Sequence, residues 1–155
     1  MIDTHSHLFV EEFSDDLRQT IQRAKDAGVT NIFMPNIDDT TISDMLRVCS
    51  EFPGYCFPML GFHPTSVNAQ SMSVVKDMKR LLDGEHPYIA IGEVGMDLYW
   101  DKTFIAEQEK ALEQQLDWAI SLDLPVILHI RKAHAETFKV LNKFKGKTIR
   151  GVFHC

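Results

Sequence analysis

Apolar residues along this chain fall into short continuous runs separated by segments with a helical period. The run MIDTHSHL at 1–8 predicts a strand, and EEFSDDLRQTIQRAKDAG at 11–28 predicts a helix with apolar Phe13, Leu17, Ile21 and Ala24 and a stop at Gly28. The alternation continues with a strand at 29–36 and a helix at 39–54 ended by Pro53-Gly54. YCFPMLGFHP at 55–64 is apolar but interrupted by Pro58, which argues against regular strand throughout. A helix at 72–84, a strand at 88–98, a long helix at 104–122, a strand at 125–131, a helix at 133–146 and a strand from 149 complete the pattern. Strands that are apolar on both faces belong to a parallel sheet covered by helices, so the expected class is α/β in a single domain over 1–155.

The polar residues interrupting these strands are concentrated near their C-terminal ends. His5 and His7 close the first, His63 the third, Glu93 and Asp97 the fourth, His129 and Arg131 the fifth, and His154 the sixth. In a (β/α)₈ barrel that face carries the active site, because the strand ends converge there. Five of the seven histidines lie at such ends; His86, beside Pro87, and His134, after Arg131-Lys132, read as ordinary structural residues.

Two imidazoles on one face of a buried strand repel when charged and lose hydration when unpaired. A divalent cation relieves both problems by taking a neutral nitrogen from each. Glu93, His129 and His154 add three further donors, enough for two ions, and Glu93 is the natural bridge because a carboxylate has two acceptor oxygens. The flanking glycines of IGEVG permit close backbone approach around it. Such a pair of ions, about 4 Å apart, suits hydrolysis of an ester.

Composition narrows the setting. A chain with 45% hydrophobic and 25% charged residues is globular in type, and no apolar run reaches the roughly 20 residues a bilayer requires. The start carries no basic segment followed by an apolar stretch, so no secretory signal is expected. Three cysteines without close pairing (Cys49, Cys56 and Cys155) point to free thiols in a reducing, cytoplasmic compartment. A net charge of −6 argues against strong non-specific binding to DNA, though bound cations would offset it locally.

Five motifs, DTHSH, GFHP, IGEVGMD, PVILHIRKA and GVFHC, resemble in order and spacing those of the TatD family of metal-dependent deoxyribonucleases. The resemblance implies a TIM-type (β/α)₈ barrel, with about six of eight βα units in this chain, and hydrolysis of DNA phosphodiesters, often as a 3′→5′ exonuclease, on single-stranded DNA or a 3′ end. It implies that His5, His7 and Glu93 hold one divalent ion (zinc, manganese or magnesium) and Glu93, His129 and His154 a second. It places His63 at the scissile phosphate and Arg131 as an aid to its binding. Asp97 is either a further functional acid or a structural one orienting the loop after the fourth strand. The family pattern continues beyond the sixth strand to an aspartate that ligates metal and positions water, so the chain is expected to be a truncated form or part of a longer one. Alternatives are an amidohydrolase-like enzyme acting on a small ester, lactone or amide, an RNA or aminoacyl-tRNA substrate, or a catalytically incomplete fragment.

Overall fold

A computed structural model describes residues 1–154; the predicted thiol of Cys155 lies outside them. Six parallel strands alternate with five helices: β1 (Ile2–Asp3), α1 (Leu17–Asp26), β2 (Asn31–Pro35), α2 (Ile42–Glu51), β3 (Cys56–Met59), α3 (Ser71–Met78), β4 (Ile91–Asp97), α4 (Ile105–Leu122), β5 (Val126–Arg131), α5 (His134–Asn142) and β6 (Gly151–His154). Strand order follows chain order in two three-stranded parallel sheets, β1-β2-β3 and β4-β5-β6. No helix among the described residues is long and apolar enough to cross a membrane.

The seam between the sheets is closed by a parallel bridge between Leu60 and Ile91, with Leu60 N–H donating to Ala90 O and Gly92 N–H donating to Leu60 O. Asn36, wholly buried just past β2, reinforces it. Its backbone N–H is shared between the carbonyls of Met59 and Gly92, and its carbonyl accepts from Glu93 N–H at 3.2 Å. Its side-chain amide donates to the carbonyls of Gly61 and Asp38 and accepts from Thr41 Oγ1. Every polar atom of this buried amide thus has a partner, as burial requires.

Local chemistry accounts for the element ends. α1 stops where Gly28 takes φ +83°, with Gly28 N–H bonded to Lys25 O and Val29 N–H to Ala24 O, the paired bonds of a Schellman motif. α4 ends on Asp123 at φ +53°, and Leu124 N–H returns to Ala119 O before Pro125 leads into β5. The core lies between sheet and helices and includes Ile21, Met34, Met45, Leu112, Leu116 and Trp118.

Several predicted elements differ: the helix predicted at 39–54 opens with a 3₁₀ turn, Asp39–Thr41, and is α-helical over Ile42–Glu51, and the strand predicted at 55–64 is Cys56–Met59. The first strand is only two residues long, and just past it Asp3 Oδ1 accepts the N–H of His5. The first α-helix begins at Leu17, the preceding Glu11–Phe13 forming a separate 3₁₀ turn. The third helix stops at Met78 and continues as a 3₁₀ turn to Leu82.

Candidate metal and phosphate centre

Glu93 is the third residue of β4 and is 3% exposed, so the carboxylate lies inside the mouth of the sheet and not at the strand end. Its neighbours allow the close packing around it. A Cβ on Gly95, which has φ +146°, would overlap the carbonyl oxygen of His129, and one on Gly92 would press on the side chain of Ile127.

Imidazoles from four other segments surround this carboxylate. His5 Nε2 lies 3.0 Å from Oε2 and His7 Nε2 3.5 Å from it. His129 Nδ1 is 3.0 Å, His63 Nε2 3.6 Å and His154 Nε2 4.0 Å from Oε1. Burial alone would raise the Glu93 carboxyl, but hydrogen bonds from His129, His5, His63 and His7 outweigh it and hold the group well below the usual carboxylate range.

His5 and His7 lie beyond β1, yet both turn inward: Ser6 N–H between them donates to Phe33 O and keeps the segment against β2. His7 Nδ1–H donates to the carbonyl of Pro35 at 3.0 Å, which fixes its tautomer and leaves the Nε2 lone pair facing the centre. Nδ1 of His5 is buried with no hydrogen-bond partner among the described residues. His154 stacks on His5, with ring centres 3.8 Å apart and planes 12° from parallel. Burial, followed by the nearby His5 ring, pushes the His154 pKa down, which favours the neutral form that ligates a cation.

His63 differs from these. It lies four residues past β3, at the start of the 3₁₀ turn Pro64–Ser66, where its Nδ1 accepts from Thr65 N–H at 3.2 Å and sits 2.6 Å from Thr65 Oγ1. With Nδ1 an acceptor, the ring proton is on Nε2, which faces Glu93 as a donor.

Asp97, the last residue of β4 and 2% exposed, serves two partners. Oδ2 lies 2.9 Å from His129 Nε2, while Oδ1 accepts from the N–H groups of Tyr99 at 2.9 Å and Trp100 at 3.4 Å. Burial raises this carboxyl, but the His129 bond and the two backbone bonds outweigh it and lower its pKa. His129 therefore sits between two carboxylates; burial alone would lower its pKa, and Glu93 and Asp97 raise it. Arg131 ends β5 beside them, exposed, with its guanidinium 3.9 Å above the Tyr99 ring.

The donor set fits a divalent cation. The Nε2 atoms of His5 and His7 are 3.3 Å apart, and two nitrogens bound to one tetrahedral ion at about 2.1 Å lie roughly 3.4 Å apart. Among the described residues, two groups have donor atoms within 4.8 Å of one another: His5, Glu93 and His154, and His63, Glu93 and His129. This division places His154 beside His5, whereas the family resemblance pairs it with His129. Glu93 belongs to both groups, and its two oxygens face different histidines.

Sequence reasoning missed the supports. Gln108 and Gln115, both buried on α4, hold site loops by their side-chain amides. Gln108 accepts from Asp97 N–H and donates to Asp97 O; Gln115 accepts from Phe62 N–H and donates to Phe62 O. The available signal was two glutamines seven residues apart on the same helical face as Ala111, Leu112 and Leu116.

The family model described as TatD related DNase matches residues 2–155. The 3'-5' ssDNA/RNA exonuclease TatD of Pantoea sp. (strain At-9b) is 34% identical over 155 residues, covering 100% of this chain and 59% of that protein. The uncharacterized metal-dependent hydrolase YabD of Bacillus subtilis (strain 168) is 28% identical over 158 residues, covering 100% of this chain and 60% of its own. The crystal structure of YJJV, a TatD homologue from Escherichia coli K12, superposes with a TM-score of 0.82 at 32% identity, covering 92% of this chain and 55% of that one. The chain thus spans about three fifths of the length of the curated relatives it matches. Its six parallel strands and five helices are part of a TIM-type (β/α)₈ barrel, and the chain belongs to the TatD-related DNase family.

Proposed function

We propose that these residues serve a metal-dependent phosphodiesterase that removes nucleotides from the 3′ end of single-stranded DNA. The observation that carries this reading is the buried Glu93 carboxylate with four imidazoles within 3.6 Å of its two oxygens. The name of the Pantoea relative supports the substrate class. In this reading His5, His7 and Glu93 would hold one divalent ion, and Glu93, His129 and His154 would hold the other. Imidazole-rich ligation favours zinc, and manganese or magnesium are the alternatives. When bound, the ions make water more acidic and neutralise charge on the phosphate.

The chain's own residues supply orientation and hydrogen bonds to the phosphate. The Pro35 carbonyl aims the His7 lone pair, and Asp97 holds His129 in place. Arg131, exposed at the end of β5, binds the phosphate of the bound strand. Nε2–H of His63 donates a hydrogen bond to the phosphate oxygen that departs, stabilising the charge that grows on it as the P–O bond breaks. Free Cys49 and Cys56 support a cytoplasmic, reducing setting.

The test is digestion of a 5′-labelled single-stranded oligonucleotide with added manganese. Wild-type protein should give a ladder shortening from the 3′ end, and Glu93→Gln should lose metal and slow cleavage by roughly 100-fold or more. Equal turnover by Glu93→Gln would overturn the assignment. Hydrolysis of small esters, lactones or amides without cleavage of the oligonucleotide would replace it with the small-substrate reading.

A further inference from the structure

Beside the Glu93 centre, the loop after β4 exposes two adjacent aromatic rings. Tyr99 is 50% and Trp100 69% exposed. The rings meet edge to face, with centroids 4.8 Å apart at 87°. Asp97, which also holds His129, fixes the backbone beneath them through the N–H groups of both residues. The rings are therefore tied to the same acid as the His129 imidazole. Arg131 lies two residues beyond His129 on β5, hence on the same side of the strand. Its guanidinium stacks 3.9 Å above Tyr99 and lies 5.1 Å from Trp100, and it makes no ion pair among the described residues. A stacked guanidinium keeps its in-plane N–H donors available to a phosphate.

We propose that Tyr99, Trp100 and Arg131 form a platform on which a nucleobase of a single-stranded nucleic acid stacks while Arg131 holds the adjoining phosphate. This rests on the nuclease reading and specifies how its substrate is gripped. The cleft under Trp100, lined by Pro64, Thr65, Val67, Asp97 and Phe104, measures about 40 Å³ and admits a water, not a base. A base therefore has the exposed surface of the indole to stack on, not the cleft. Electrostatics favours the same answer. A chain of net charge −6 gains little from releasing counterions along a phosphate backbone, so base stacking has to supply much of the affinity. Stacking is tolerant of base identity, because every base presents a π face.

The two tryptophans make the platform directly observable. Trp118 is 2% exposed, so only Trp100 can be quenched by a stacked base. The probes are a phosphorothioate-linked oligothymidylate, which resists hydrolysis, and a sugar–phosphate strand of the same length without bases. The oligothymidylate should quench Trp100 emission saturably and bind roughly 5- to 100-fold more tightly than the abasic strand. Its affinity should fall only weakly with salt, with a logarithmic slope of about −0.7 for the single phosphate at Arg131. Trp100→Phe should bind without quenching, and Trp100→Ala should lose the binding advantage; neither change disturbs a packed core. Equal binding of the two strands, wild-type affinity in Trp100→Ala, or no binding of the oligothymidylate overturns the platform. Quenching by a protein that cleaves no oligonucleotide keeps the platform and removes the nuclease reading. Cleavage without quenching does the reverse.

Discussion

Oδ2 of Asp97 lies 2.9 Å from Nε2 of His129, a cross-strand pair set by the parallel register in which Gly95 faces His129 and Asp97 faces Arg131. A carboxylate behind an imidazole fixes the ring's orientation and raises its basicity toward a metal on the other nitrogen. Asp97→Asn removes the charge but keeps an oxygen to accept from Tyr99 N–H, so the loop should stay in place. Affinity for zinc or manganese, read by titration calorimetry, is expected to fall about 10- to 100-fold with little change in melting temperature. Unchanged affinity would show that His129 does not depend on this acid.

The amide of Gln115 satisfies both backbone groups of Phe62, one residue before His63, at 2.7 and 3.3 Å. Leucine fills similar space and bonds neither, leaving a buried donor and acceptor without partners. Each such group costs about 1–3 kcal/mol. Gln115→Leu should therefore lower unfolding free energy by roughly 2–4 kcal/mol in a urea titration. A change below about 0.5 kcal/mol, the level of a neutral surface substitution, would mean that water replaces the amide.

The elements built on strong periodicity were legible in the sequence. The long helix predicted at 104–122 is Ile105–Leu122, and the strand predicted at 125–131 is Val126–Arg131. The chemistry-bearing residues were legible because histidines and acids at the ends of apolar runs have few structural uses. Their depth was not legible. Glu93 reads as a strand-end acid but is in mid-strand, since the ladder continues through Met96 to Asp97. His63 reads as a strand end but caps a 3₁₀ turn four residues further on, because its Nδ1 accepts the backbone N–H of Thr65. Asn36 showed no pattern at all: its importance comes from a seam between β3 and β4, a tertiary relationship with no local period.

Gly95 of β4 pairs with His129 of β5. Its φ of +146° disfavours any side chain, and a Cβ would overlap the His129 carbonyl oxygen. Alanine must push the two strands apart at the residue pair that positions His129. Gly95→Ala is expected to destabilise the fold by about 3 kcal/mol or more, seen as a large drop in melting temperature or loss of soluble protein. A melting temperature within a degree or two of wild type would show that the strands separate locally at little cost.

Cys49 and Cys56 give a pH-dependent outcome that does not involve the metal centre. Burial, with a smaller contribution from Cys56, pushes the Cys49 thiol from an ordinary 9.0 to about 12. Burial pushes Cys56 to about 11, a nearby Lys25 opposing it. Only the thiolate reacts with iodoacetamide. At pH 8 both residues should therefore stay unlabelled in the folded protein and label readily in urea, as peptide mass mapping would show. The sign of the stability effect follows from the same shifts. The folded state keeps these protons to higher pH than the unfolded state, so the stabilisation is fully present below about pH 9 and is lost as pH rises through 11 to 12. Replacing both residues with alanine removes this source of alkaline sensitivity, so the double variant should lose less stability between pH 9 and 11 than wild type, even with a lower absolute value. An identical loss in the two proteins would assign the alkaline transition to other groups.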